Sequence, residues 1–523
     1  MRLGEAVPVQ FKGVNVQSIS TLQIEAAGQM SMADCFREMA TLYPARDALR
    51  YGEVCLSYAE LHERVTKLAN WMAAQGVGRG DSVAILSENS HRYVELVLAA
   101  SFIGAIVACQ NWRQAPPELA HCLKVAGPKL VFVSEKFQPK MAEQAVDVPV
   151  IELGEPYEEI LRTGSADEIP LGALADEGLL LLYTSGTTGF PKGAVLTQKA
   201  MVARGIIGRV DGVIYPNTAY VAWTPMFHTS AIEPSLAVLM HGGQVVVLDG
   251  FNSDALIDVL ERYEIGFLML SPGVIGRMLE AMKKRPVKVR GVRLAGTMPD
   301  LVPADQLGEI TRLLNAPYRN SFGSTEAGGI ASRASIPVGV TPSKFSKEQS
   351  SYVRIRLVDE EGVDVPDETP GELLVRTPGL FSHYLGDPAA TAEAFAGGWF
   401  HTGDVLVRHT DGSLDFVDRR KYLIKSGGEN IYPGELERVL LSSDRIADAV
   451  VVRKPDAQWG EVPFLFVVAR DQALTEDEVL ALLKGKIAGY KMPKGVRFLA
   501  EEDIPRSTTD KVKRHELEKL LVQ

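Results

Sequence analysis

The sequence predicts an α/β chain: a large N-terminal domain of helix-covered, mainly parallel sheets with a small β-barrel subdomain, then a small α+β C-terminal domain. Three observations predict it. Apolar runs of strand length, such as Asp81–Leu86, Leu130–Val133, Ala219–Ala222, Gln244–Leu248 and Phe267–Leu270, alternate with stretches of helical periodicity, and alternating β and α elements build parallel sheets covered by helices. From about Val353 the pattern changes: Val353–Val358 and Gly371–Arg376 read as shorter strands between Gly, Pro and Asp turns, as in an antiparallel barrel or meander. A charged break at Asp418–Lys421 then precedes a stretch with its own alternation of helix and strand.

The boundaries expected are 1–418 for the N-terminal domain, divided into 1–350 and a β-rich 351–418, and 419–523 for the C-terminal domain. In order along the chain, Ser57 with Glu60 three residues on is a capping-box pattern that starts a helix running to Gln75. The apolar stretch Val94–Cys109 carries Glu95 and is too short to span a membrane, so it reads as a buried helix leading into a strand. Gly178–Tyr183 reads as a buried strand. Beyond the break, helix Gly434–Ser442, strands Ile446–Val452 and Phe464–Ala469, helix Glu476–Ala488 and strand Gly495–Phe498 are expected.

Among 523 residues, 46% are hydrophobic and 23% charged, the proportions of an ordinary globular protein. A formal net charge of −11 argues against a nucleic-acid-binding role. Cys35, Cys55, Cys109 and Cys122 show no metal-ligand spacing, so reduced thiols are expected. The N-terminus lacks a basic region followed by an apolar core, so no secretory signal is read and a cytoplasmic location is the expectation.

The most informative stretch is Thr184-Ser-Gly-Thr-Thr-Gly-Phe-Pro-Lys-Gly193, directly after the strand Gly178–Tyr183. Four hydroxyls, three glycines and a lysine in ten residues place unhindered N–H groups and a positive charge at a strand end, where phosphate oxygens bind. It is not a Walker A loop, because Pro191 and Gly193 flank Lys192 where Gly and Ser or Thr would be needed. The alternative is a surface turn.

Further motifs follow in order: Thr224-Pro-Met-Phe-His228, Ser321-Phe-Gly-Ser-Thr-Glu326, Gly398-Trp-Phe-His-Thr-Gly-Asp404, Asp418-Arg-Arg-Lys-Tyr-Leu-Ile-Lys-Ser-Gly-Gly-Glu-Asn-Ile-Tyr-Pro433 and Pro505-Arg-Ser-Thr-Thr-Asp-Lys511. With the loop they resemble the adenylate-forming superfamily, which includes acyl-CoA and aryl-CoA synthetases, luciferases and nonribosomal peptide adenylation domains. The resemblance runs from about residue 30 to the end. It implies a large N-terminal domain, a hinge near Lys421 and a mobile C-terminal lid.

The resemblance also assigns roles. Thr184, Ser185, Gly186, Thr187, Thr188, Gly189 and Lys192 would cradle the β- and γ-phosphates of ATP. Glu326 would ligate magnesium, which prefers hard oxygen donors shared with phosphates, although a Glu after Ser-Thr is also a familiar helix-cap element. Thr325 would contact the α-phosphate, and Phe322 and Gly323 would lie against adenine, with Phe322 where Tyr is usual. Gly296 and Thr297 match the adenine-side loop. Asp404 would accept from both ribose hydroxyls, supported by Arg419, for which a solvated surface charge is the equal alternative. His228 would gate the acyl pocket and position substrate. Lys511 would bridge the carboxylate and α-phosphate where charge builds up during adenylation; Asp510 before it departs from the usual Gly. Gly427 and Gly428 would approach the pantetheine channel of coenzyme A, with Lys425 taking the place of Lys511 in the second pose. Tyr422 and Gln198 stand where an acid and a His are common.

The expected activity is a two-step carboxylic acid:CoA ligase that uses ATP, Mg2+ and CoA. It would make acyl-adenylate and pyrophosphate, then acyl-CoA and AMP. A stand-alone adenylation enzyme loading a carrier protein is the alternative among enzymes, and a non-catalytic nucleotide-binding protein of the same fold the alternative of another class. Residues expected near the acid, His228, Thr229, Ser230, Ile232, Phe322–Ser324 and Ala331, are small or apolar and include no Arg or Lys. An aliphatic or aromatic monocarboxylic acid is therefore expected over a dicarboxylate. The sequence leaves a homodimer open.

Overall fold

The computed structural model describes residues 28–170, 174–184, 190–299, 302–427, 429–471, 473–506 and 512–521. The chain divides into two compact units, Met1–Val353 with Arg376–Glu393, and Arg354–Val375 with Ala394–Gln523.

The first unit carries two large sheets. A seven-stranded sheet runs in the order 383–384, 192–197, 178–184, 106–109, 82–86, 130–133, 150–152. Its members from Gly178–Thr184 to Val150–Glu152 are parallel. The other two are added antiparallel beyond Gly178–Thr184. Every residue of Ser82–Leu86 and Leu130–Val133 is buried, which is why these strands read as continuous apolar runs rather than as alternation. An eight-stranded sheet follows the order 335–336, 318–320, 291–297, 264–269, 219–222, 244–247, 47–51, 54–57, parallel except at its two outer pairs. Helices pack a continuous core onto it, with Leu256, Leu260, Ile275, Met278, Leu307 and Ile310 against Val221, Ile265, Leu268 and Ala295.

The helix starting at Ser57 forms as read, Tyr58–Ala74, with both arms of the capping box present. The stretch Val94–Cys109 becomes helix His91–Ile103 and strand Ile106–Cys109. Its one acid, Glu95, is fully buried and is held by Arg64 at 2.6 Å and by the Tyr157 hydroxyl at 2.8 Å. All four cysteines are free, and burial pushes the Cys109 and Cys122 thiols up to about 12.

The second unit holds a four-stranded sheet in the order 354–358, 371–376, 400–408, 414–419, and a five-stranded sheet in the order 429–431, 424–426, 460–469, 446–456, with 496–498 also beside 460–469. The hairpin Ile446–Asp456 with Gly460–Ala469 is longer than its apolar centre, because polar residues out to Asp456 and Gly460 still pair across it. The helix expected at Glu476–Ala488 stops at Leu483, where the polar Lys484-Gly485-Lys486 offers no apolar face to continue it.

Candidate active site

In the first unit, Gly178–Thr184 and Lys192–Thr197 pair antiparallel, and Thr184 stands opposite Lys192. The strand register therefore sets Thr184 and Lys192 at one end of the pair. Ser185, Gly186, Thr187, Thr188 and Gly189 lie outside the described residues. The Phe190 ring stacks on His121 with centroids 4.7 Å apart, and His121 Nε2 lies 3.3 Å from the Pro191 carbonyl. The edge strand His383–Tyr384 pairs with Lys192–Thr197, which brings Tyr384 beside Lys192, whose Nζ sits 5.3 Å from the phenol ring centre.

Glu326 occupies a tight turn between Phe322–Ser324 and Gly328–Ala331, not a helix N-terminus. The Ala327 N–H donates to the Ser324 hydroxyl at 3.2 Å across that turn. The hairpin is drawn so close that a Cβ on Gly323 would lie 2.2 Å from the Gly328 carbonyl. Gly328 has φ +69°, a left-handed backbone that glycine adopts without penalty. Arg204, on helix Gln198–Val210, braces the turn from behind. Its Nη2 donates to the Thr325 carbonyl at 2.9 Å, its Nε to Gly379 at 2.7 Å, and its Nη1 to Glu233 at 2.7 Å.

The Glu326 carboxylate accepts one hydrogen bond among the described residues, from the Tyr384 hydroxyl to Oε1 at 3.0 Å. Oε2 has no such partner. Among the described residues no cluster of three His, Cys, Asp or Glu could hold a metal by itself. That donor set fits magnesium, which binds through one or two carboxylates, waters and substrate phosphates rather than in an all-protein cage.

Gly296 and Thr297 end the strand Gly291–Thr297 and pair with Arg319 and Asn320. The Ser321 N–H donates to the Thr297 carbonyl at 3.3 Å, so Gly296 and Thr297 and the Phe322 motif lie side by side, with Phe322 buried. His228 caps helix Thr229–Leu239, and its ring lies against Phe227 with centroids 4.5 Å apart. The loop before it is pinned by buried Asn89, which donates to the Thr224 carbonyl at 2.8 Å and accepts from the Met226 N–H at 2.8 Å. Gln198, in the position where His is common, is buried and structural: it donates to the Ser101 carbonyl at 2.9 Å and accepts from the Ala33 N–H.

In the second unit, Asp404 and Arg419 face each other on paired strands, and Arg419 Nε meets Asp404 Oδ1 at 2.5 Å. The Asp404 side chain is buried while that of Arg419 is 39% exposed. Arg420 pairs with Glu372 at 2.5 Å, and Lys425 with Glu360 at 2.6 Å. Glu360, Arg420, Lys421, Lys425, Arg453 and Glu461 line a cleft of about 260 Å³. Lys421 stays in contact with solvent, but partial desolvation and then the nearby Arg419 charge hold its ammonium below the usual lysine range. Tyr422 sits under the Arg514 guanidinium at 4.8 Å. Gly427 has a left-handed backbone and donates to the Trp459 carbonyl at 2.8 Å. Gly428, Asp510 and Lys511 lie outside the described residues.

The structure thus groups Thr184, Lys192, Thr325 and Glu326 in one unit, with Gly296, Thr297, Phe322 and Gly323 together beside one another there. It pairs Asp404 with Arg419 in the other. Reasoning from sequence missed Tyr384, Arg204 and Asn89. None lies in a motif stretch, and each acts on a partner remote along the chain.

Comparison with known proteins matches residues 36–385 to the AMP-binding enzyme family and 435–511 to the AMP-binding enzyme C-terminal domain. The chain is 32% identical to indoleacetate–CoA ligase of Aromatoleum aromaticum, over 94% of this chain and 99% of that protein. It is 33% identical to feruloyl-CoA synthase of an Amycolatopsis species, over 91% and 96%. Among solved structures, o-succinylbenzoate CoA synthetase from Bacillus subtilis with its acyl-adenylate superposes with a TM-score of 0.82 at 27% identity, covering 94% of this chain and 98% of that one. The same synthetase with ATP and magnesium gives 0.81 at 27% identity over 92% and 98%.

Proposed function

We propose that this chain, which belongs to the AMP-binding enzyme family and is an AMP-forming acid–thiol ligase, takes an aromatic monocarboxylic acid as its substrate. It converts acid and ATP to acyl-adenylate and pyrophosphate, and then forms acyl-CoA and AMP. The observation that carries the reading is that Tyr384 links Lys192, which stands opposite Thr184 on a strand pair, to Glu326 in a separate turn, an arrangement that fits a triphosphate with one carboxylate for a metal. The relatives that act on indoleacetate and ferulate support an aromatic acid. The residues proposed to line the acid site, His228, Thr229, Ser230 and Ile232, include no Arg or Lys to pair with a second carboxylate, which favours a monocarboxylic acid.

In this reading Lys192, Thr184 and the loop residues Ser185–Gly189 hold the β- and γ-phosphates. Glu326 would hold magnesium, which supplies charge neutralisation at the phosphates when bound. Thr325 meets the α-phosphate; Phe322, Gly323, Gly296 and Thr297 hold adenine; His228 orients the acid. Asp404 takes the ribose hydroxyls with Arg419 as support. Lys511 stabilises adenylation, and a lid of 419–523 turns about Lys421 to bring Lys425, Gly427 and Gly428 to the thiol step. No helix of the described residues is long and apolar enough to cross a membrane, and we place the enzyme in the cytoplasm, where ATP and CoA are abundant.

Chromatography of the spent nucleotide tests the activity: AMP and pyrophosphate are expected with CoA and an arylacetic or cinnamic acid, and ADP as the main product would overturn it. A panel of aliphatic, aromatic and dicarboxylic acids, followed by pyrophosphate release, tests the substrate class.

A further inference from the structure

We propose that Tyr384 is a positioning residue for adenylation, orienting the magnesium carboxylate Glu326 and seating the phosphate lysine Lys192 with one side chain. The inference rests on the reading of Glu326 as the metal ligand.

The geometry is specific. The Tyr384 hydroxyl donates to Glu326 Oε1 at 3.0 Å, and Lys192 Nζ lies 5.3 Å from the centre of the same ring. Glu326 is fixed a second time through its backbone, where the Phe381 N–H donates to its carbonyl at 2.7 Å, and the Phe381 ring lies 4.7 Å from that of Tyr384. Tyr384 is itself set by strand pairing with Ala194 and by its N–H donating to the Thr391 hydroxyl at 3.0 Å. The segment 381–384 therefore grips main chain and side chain of Glu326 together.

A phenol suits this place for a physical reason. An Arg or Lys bonded to Glu326 would cancel the charge that a cation needs, and a carboxylate near Lys192 would compete with phosphate. A neutral hydroxyl orients a carboxylate without neutralising it and leaves Oε2 for the metal. The ring face attracts an ammonium without occupying its N–H donors. Both charges are thus held in place and remain available.

The test is metal binding without turnover. Mn2+ is titrated by electron paramagnetic resonance in the presence of α,β-methylene ATP, for wild type, Tyr384→Phe, Glu326→Gln and the double variant. Circular-dichroism melting checks that each is folded. Tyr384→Phe keeps the ring and loses the hydroxyl, so Mn2+ affinity should fall about tenfold, the scale of one hydrogen bond to a charged group. In the Glu326→Gln background the same change should add less than about twofold. Tyr384→Leu should in addition weaken metal-free nucleotide binding, because Lys192 loses its ring. Weaker Mn2+ binding in Glu326→Gln with wild-type affinity in Tyr384→Phe overturns the proposal alone. Unchanged affinity in Glu326→Gln removes the metal assignment on which it rests, and the proposal with it.

Discussion

The two units treat their functional charges differently. Around strands Gly178–Thr184 and Lys192–Thr197 of the first unit, neither Lys192 nor Glu326 has an ion pair among the described residues; each is held by the neutral Tyr384. In the second unit Asp404 is paired with Arg419, Arg420 with Glu372 and Lys425 with Glu360. The lesson concerns where binding energy is spent. An unpaired, partly exposed charge can engage a ligand with little competition. A paired charge must first give up its partner, which lowers the net gain but keeps the unit electrostatically quiet when no ligand is bound.

The largest effect should come from removing the brace of the open half. Arg204 is 2% exposed and bonded to Glu233, Gly379 and Thr325. Arg204→Ala leaves Glu233 and two carbonyls without their donor, and breaking a buried pair costs about 3–5 kcal/mol. Urea unfolding should show a loss of unfolding free energy of that size, with metal-dependent ATP binding reduced further in the fraction that folds. A loss under about 1 kcal/mol would mean that the turn is stable by itself.

Next is the paired half. Asp404→Ala should weaken ATP binding tenfold to a hundredfold, or about 1.5–3 kcal/mol, if its carboxylate takes the ribose hydroxyls. Arg419→Ala should weaken it only a few-fold, since Arg419 acts through Asp404. Calorimetry on both decides it, and equal losses would show that the pair binds ATP as a unit.

A smaller effect is expected at Lys425. Its partner Glu360 is exposed, so the pair is weak. Glu360→Gln frees Lys425, and thioester formation from synthetic acyl-adenylate and CoA should speed up by less than about fivefold. A slower step would mean that Glu360 guides Lys425 rather than restrains it.

The same contrast sets what could be read from sequence. The Thr184–Gly193 stretch, the Glu326 turn and the Asp404 strand are contiguous stretches in which several chemically matched residues adjoin, so the chemistry proposed for them is read locally. Helix Tyr58–Ala74 was legible for the same reason, since a capping box spans only four positions. Tyr384, Arg204 and Asn89 were not. Their partners Glu326, Thr325 and Thr224 lie 58, 121 and 135 residues away, and only the strand order brings them together. The pairings of Arg420 and Lys425 were hidden likewise, because exposed charges read as solvated until acids remote along the chain, Glu372 on a strand and Glu360 in a turn, are brought beside them. Gln198 shows the converse: its departure from His is a buried structural bridge, which residue type alone does not reveal.

The smallest effect extends charge pairing to the rim of the second unit. His409 lies between Glu368, 2.8 Å from Nδ1, and Asp415, 3.1 Å from Nε2. The hydrogen bond to Glu368, then that to Asp415, raises its pKa above the usual histidine value. A group whose folded pKa is raised stabilises the fold fully below its unfolded pKa, near 6.5, and loses that contribution as pH rises through the folded value. The two carboxylates are exposed and His409 partly so, so solvent screening keeps the effect small. Melting temperature, measured as wild type minus His409→Gln, should therefore fall by about 2 °C between pH 6 and pH 8. Using the difference between the two proteins cancels the titration of every other group. A flat difference would show that the two carboxylates hold His409 no better than water does, and that charge pairing in this unit matters only where, as at Asp404, one partner is buried.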